Sequence, residues 1–260
     1  NRTLAAKDGP IAPLIAETGG LNALFCDTTA LKEQVVDDVI MSGFRSAGQR
    51  CSALRVLFLP HETADDIIEM IKGAMDVLII GDPADPSTDV GPIIDAEARK
   101  LLDDHLAKMI AAGFAVHQRN IGVLRERGTF FGPAIVELPG LSHIDREIFG
   151  PILHVIRYDP DDIEQVGGAL SAKGYGLTLG VHSRLEGFAE KVKAAVRAGN
   201  VYVNRSIIGA VVGVQPFGGS GLSGTGPKAG GPHYLARFAT ERVVTVNIAA
   251  QGGDPTLLNL

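Results

Sequence analysis

Short apolar runs alternate along this chain with longer segments whose apolar residues recur every three or four positions. Residues 54–59 (LRVLFL), 152–158 (ILHVIRY), 176–182 (GLTLGVH) and 200–204 (NVYVN) read as strands, as do 114–118 and 129–138. Helical spacing covers 31–47, 63–78, 95–113 and 184–199, with Gly113 and Gly199 in closing positions. In the first helix Leu31, Val35, Val36, Val39, Ile40 and Phe44 fall on one face. Such alternation favours parallel strand pairing, because each helix carries the chain back to the start of the next strand. The expected fold is α/β with a mostly parallel sheet, and no internal repeat is evident.

Length and charge narrow the function classes. A chain of 260 residues has room for a substantial core. Its net charge of −6, without a basic stripe, argues against a nucleic-acid partner through this segment. No apolar run reaches the ~20 residues that span a bilayer, and the start lacks a signal-peptide core, so neither membrane insertion nor secretion is expected. Two cysteines form no disulfide framework, and no CxxC or Cys/His cluster suggests a metal, so a reducing cytoplasmic setting is expected.

Several places could hold chemistry. Cys26, within LNALFCD, reads as core. Cys51, within SAGQRCSALRV, sits where a helix gives way to a strand, and is either a small core residue or a thiol that meets a substrate. Glu17, in IAETGGLN, is a solvated turn carboxylate or a partly desolvated general base. Glu147 lies beside Phe149 in REIFGPIL, which suits a ribose and a flat ring as well as it suits a simple strand start. The glycine-rich stretch 211–232 reads as an anchored ligand loop, because backbone without side chains can approach a ligand closely. After the short helix HYLARF, residues 242–248 (RVVTVNI) read as a strand without a local partner, which invites pairing with another subunit. No GxGxxG or Walker loop is present.

In order along the chain, ETGGLN, then GQRCSA with Cys51 34 residues after Glu17, then TDVGPII, EIFGP, YGLT, GNVYVN and QPFGGSGLSGTG resemble the aldehyde dehydrogenase superfamily. GQRCSALRVLFLP, REIFGPILHVIRY and VGVQPFGGSGLSGTGPKAGGPHYL look like its L-glutamate γ-semialdehyde (1-pyrroline-5-carboxylate) dehydrogenase branch. They are most similar to that module of bacterial bifunctional proline utilization A proteins. The resemblance implies a catalytic domain over 17–232, preceded in 1–16 by the tail of an NAD-binding domain largely absent from this chain. Residues 233–260 become a C-terminal helix, an oligomerisation-type strand and a tail.

The same resemblance implies Cys51 as nucleophile and Glu17 as the base that activates water. It places Glu147 and Phe149 at the nicotinamide ribose and ring. Ser52, with the backbone amides of Gly219 and Ser220, becomes the anchor of the substrate's α-carboxylate. The implied cofactor is NAD, with FAD confined to a separate proline dehydrogenase domain outside this chain. Implied partners are a small aldehyde, the rest of a parent polypeptide and further copies in a homo-oligomer. The isolated chain is expected to be incomplete and inactive, with an aldehyde-binding or assembly module as the alternative. Against a CoA-acylating enzyme stands Glu17, because a thiol acceptor needs no hydrolytic base.

Overall fold

Seven strands join in one sheet: β1 (Ala23–Cys26), β2 (Val56–Pro60), β3 (Val116–Gln118), β4 (Ala134–Leu138), β5 (Ile152–Tyr158), β6 (Thr178–His182) and β7 (Asn200–Val203). Their order is β3-β4-β5-β2-β1-β6-β7. Neighbours run parallel except β3 and β4, which are antiparallel. The helices are α1 (Arg2–Ala5), α2 (Lys32–Gly43), α3 (His61–Val77), α4 (Ala96–Ala111), α5 (Ile163–Ser171) and α6 (Glu186–Ala195). This computed structural model describes residues 1–211 and 213–247, together with residues 250, 252 and 256. No helix among them is long and apolar enough to cross a membrane.

The continuous apolar runs are central strands. Every residue of β1, β2 and β6 is buried, as expected of parallel strands covered on both faces. Helix α2 packs on α3, and α5 on α6. Phe25 of β1 stacks on its register partner Phe58 of β2 with ring centroids 4.3 Å apart. Tyr158 meets both rings edge-on and donates its hydroxyl hydrogen to the Cys26 carbonyl at 2.7 Å.

Several elements differ from the spacing. Helix α2 stops at Gly43 rather than continuing to residue 47, because Ser46 and Ala47 take left-handed backbone (φ 56° and 53°) and Gly48 follows at φ 62°. The strand expected from 129 begins only at Ala134. Pro133 has no N–H to give a ladder, and a side chain on Gly132 would start 2.1 Å from the Arg119 carbonyl. Residues 242–247 form no strand within this chain, and Val243, Val244 and Val246 are exposed; Ile248 lies outside the described residues. HYLARF contributes a single 3-10 turn, Leu235–Phe238.

The segments leading into β1, β2, β5, β6 and β7 share one edge of the sheet, since these strands are parallel. Glu17, Cys51 and Glu147 lie on three of them, and the glycine loop packs on Gly176 and Gly199 of the other two. Phe58→Ala should cost about 3–5 kcal/mol by opening the aromatic cluster. Urea unfolding checks this, and an unchanged midpoint would show that the Phe25–Phe58 stack does not hold the central strands.

Candidate active site

Cys51 stands at the end of an uncommon backbone path. Three successive left-handed residues, 46–48, are unfavourable for L-residues, at roughly 1–2 kcal/mol for each non-glycine, so the turn needs outside support. Gln49 supplies some: its amide donates to Pro92 O at 3.1 Å and its Oε1 accepts from the Ile94 N–H at 2.8 Å, tying the turn to TDVGPII. The buried Asn22 side chain donates to Cys51 O (2.7 Å) and Ala53 O (2.9 Å), while its Oδ1 accepts from the Thr178 N–H at 3.1 Å. The turn is thereby fixed to the segment that leads into β1 and to the first residue of β6.

Arg55, four residues after Cys51, completes the support. It is fully buried, and Nη1 donates to Gly48 O (2.7 Å) and Gly150 O (3.0 Å). Nη2 donates to Arg50 O (3.1 Å) and, with Nε, to Glu147 Oε1 at 3.1 and 3.2 Å. Its guanidinium carbon also lies 5.0 Å from the centre of the Phe149 ring, which is 44% exposed. Glu147 additionally accepts a Gly20 N–H. Gly19 is required beside it, because a side chain there would start 1.6 Å from Glu147 Oε2. Burial raises the Glu147 carboxyl above its ordinary value, against the pull of Arg55 and the Gly20 N–H.

Glu17 meets the glycine loop. It forms an isolated antiparallel bridge with Gly224, flanked by Thr18 N–H to Ser223 O (3.2 Å) and Thr225 N–H to Ala16 O (3.0 Å). Its carboxylate accepts the Gly219 N–H, and burial raises its pKa in opposition to that bond. The loop is anchored as expected. A side chain on Gly219 would start 2.7 Å from Gly176 O, and one on Gly199 would start 2.0 Å from Gly218 O. Asn200 holds it further, donating to Pro216 O (3.0 Å) and accepting the Gly218 N–H (3.3 Å).

These contacts bring Glu147 and Glu17 each within electrostatic reach of Cys51. Burial around the sulfur pushes the Cys51 thiol above its ordinary value; the Ser52 and Cys51 N–H groups oppose this, while Glu147 and then Glu17 add to it. Cys51 is nonetheless an exposed residue, whereas Cys26 is buried and its thiol is driven far up by desolvation. Ser52 is buried beside Cys51, and its carbonyl accepts from Thr178 Oγ1 at 3.3 Å.

One expected feature differs. The Ser220 N–H donates to Gly176 O at 3.1 Å and the Gly219 N–H is held by Glu17, so neither amide is free to meet an anion in this structure. The loop spends both on its own folding. Arg55 and Asn22 were not singled out by the sequence. Arg55 hides as one polar letter in an apolar strand run, and Asn22 reads as part of a turn. No cluster of His, Cys, Asp or Glu able to hold a metal ion occurs among the described residues.

The model of the Aldehyde dehydrogenase family matches residues 2–244. The bifunctional protein PutA of Klebsiella aerogenes is 49% identical over 267 residues, covering 98% of this chain and 20% of that protein. A 1-pyrroline-5-carboxylate dehydrogenase of Geobacillus sp. (strain WCH70) is 32% identical, covering 89% of this chain and 45% of that protein. Among solved structures, a Bradyrhizobium japonicum proline utilization A (PutA) mutant matches with a TM-score of 0.91 at 59% identity, over 97% of this chain and 26% of that one. A 1-pyrroline-5-carboxylate dehydrogenase from Thermus with bound NAD matches with a TM-score of 0.74 at 34% identity, over 86% of this chain and 43% of that one. The chain thus spans about a fifth of the length of the PutA relatives it matches.

Iodoacetamide should modify Cys51 well before Cys26, at a rate still climbing with pH above the range of an ordinary thiol, because burial and two carboxylates disfavour the thiolate. Peptide mass mapping across a pH series checks both parts. Preferential labelling of Cys26 in folded protein would contradict the placement of the two thiols.

Proposed function

Because this chain belongs to the aldehyde dehydrogenase family, we propose that it carries the nucleophile and the hydrolytic base of an NAD-dependent L-glutamate γ-semialdehyde dehydrogenase of proline catabolism. The observation that carries this reading is the exposed Cys51 thiol with Glu17, bridged to the glycine loop, within electrostatic reach of it and backbone N–H donors at its sulfur. The Cys51 thiolate attacks the aldehyde carbon, giving a thiohemiacetal. When that carbon loses its hydrogen as hydride, a thioester to Cys51 remains. Covalent capture divides a difficult oxidation into easier steps. Glu17 then takes a proton from water as its oxygen attacks the thioester carbonyl, releasing the acid and returning Cys51. A carboxylate of raised pKa suits this task, since it can hold the proton it takes.

The residues present fit the nicotinamide end of NAD. Glu147, fixed by the buried Arg55, would accept hydrogen bonds from ribose hydroxyls, and the half-exposed Phe149 ring beside it would meet the flat ring. NAD, when bound, supplies the hydride acceptor. FAD is assigned to a separate proline dehydrogenase domain of such a polypeptide.

For the α-carboxylate, Ser52 and the exposed Ser220 side chain carry the anchor reading rather than the 219–220 amides, which are engaged. A homo-oligomer fits the outer strand β7, where Val201 and Val203 are exposed, together with the exposed apolar residues of 242–247. The proposed setting is cytoplasmic, where both free thiols stay reduced.

In the full-length protein that carries this chain, Glu17→Gln should leave a single burst of NADH and lower steady turnover of the semialdehyde by about 10²- to 10⁴-fold. Stopped-flow absorbance measures both. Turnover at the parent rate would remove Glu17 from the mechanism.

A further inference from the structure

We propose that Arg55 is a positioning residue that locks the nucleophile turn and the Glu147 loop into one unit and balances the Glu147 charge beside the Cys51 sulfur. Arg55 takes this role on the reading of Cys51 as nucleophile and Glu147 as ribose contact given above. A guanidinium has five N–H donors in a fixed fork and no acceptor, and burying any of them unpaired is costly. Here each has an acceptor: Gly48 O and Gly150 O for Nη1, Arg50 O and Glu147 Oε1 for Nη2, and Glu147 Oε1 for Nε. Two of these carbonyls belong to the strained turn that ends at Cys51, and the third to the turn just after Glu147. The two turns touch at backbone distance, since a side chain on Gly48 would start 2.3 Å from Gly150 O. A displacement of either is therefore passed to the other through one rigid fork. Lysine keeps the charge but has no planar fork to span the three carbonyls.

The charge matters as well as the fork. Cys51 faces Glu147, Glu17 and Arg55, of which only Arg55 favours the thiolate. Arg55 itself faces Glu147, Cys51 and His154. His154 stays neutral, held down to about 3 by burial, with Nδ1 against Arg55 O at 3.1 Å and Nε2 against His105 Nε2 at 2.9 Å. With His154 uncharged, Arg55 is the cation that compensates Glu147 at this site.

The test uses the full-length protein and reads two quantities: the pH midpoint of Cys51 alkylation, by peptide mapping, and NADH turnover with its KM for NAD. Arg55→Gln should raise the midpoint by about one pH unit, Glu147→Gln should lower it, and the double variant should return close to the parent. Arg55→Lys should hold the midpoint near the parent while raising KM for NAD or lowering kcat at least tenfold. A merely structural arginine would not give the reversal in the double variant. An unmoved midpoint in Arg55→Gln, or a double variant no nearer the parent than Arg55→Gln, overturns the charge role; parent-like kinetics in Arg55→Lys overturns the positioning role. If Arg55→Gln does not fold, Glu147→Gln and Arg55→Lys decide alone, and an unmoved midpoint in Glu147→Gln counts against the proposal. Cys51→Ala separates the levels, since retained turnover there would sink the nucleophile reading itself.

Discussion

Burying Arg55 at the foot of β2 obliges the surrounding backbone to bring acceptors to every arm of its guanidinium, and the loops of the site take their shape from meeting that demand. A hydrophobic residue there would leave the carbonyls of residues 48, 50 and 150 without these donors, and would leave Glu147 half-buried without its cation. An ion pair of this kind is weak support for stability by itself, because desolvation offsets much of the attraction. Its value lies in specifying one arrangement. The left-handed run at 46–48, the close contact of Gly48 with Gly150 and the fit of Gly19 against Glu147 are local conformations that a less constrained chain would relax.

Open parallel sheets usually offer ligands the crevice beyond the carboxyl ends of their strands. Here Glu17, Cys51 and Glu147 stand at the opposite edge, on segments that lead into β1, β2 and β5. That edge has its own supply of fixed dipoles: N–H groups of residues 20, 51, 52 and 219 are directed at Glu147, at the Cys51 sulfur and at Glu17. Burial and two carboxylates push the Cys51 thiol above its ordinary value while the N–H groups at its sulfur oppose them, so Cys51 is exposed without being strongly activated.

Much of this was legible in the sequence because period carries burial. LRVLFL and ILHVIRY are largely apolar runs, and they became central parallel strands; LNALFC, read only as holding a core cysteine, supplied another. The contrast between Cys26, read as core, and Cys51 past a helix end holds in their burial. What the sequence does not display lies in backbone geometry and in long-range pairing. Ser46 and Ala47 give no sign of left-handed φ, so the spacing predicts α2 four residues too long. Arg55 acquires meaning only once residue 147, distant in sequence, is beside it. Glycines suggested amides free for an anion, but the Ser220 N–H is consumed by Gly176 and the Gly219 N–H by Glu17. The bareness of a loop does not reveal which of its donors folding has already used.

The account turns on Cys51 forming the covalent bond to substrate, and rapid-quench peptide mapping observes that bond directly. Full-length protein carrying this chain, mixed with L-glutamate γ-semialdehyde and NAD and quenched in acid during the first turnover, should yield a glutamyl thioester on the peptide containing Cys51 and none on the peptide containing Cys26. NADH formation with an adduct on another residue, or with no adduct on any cysteine at any quench time, would contradict it.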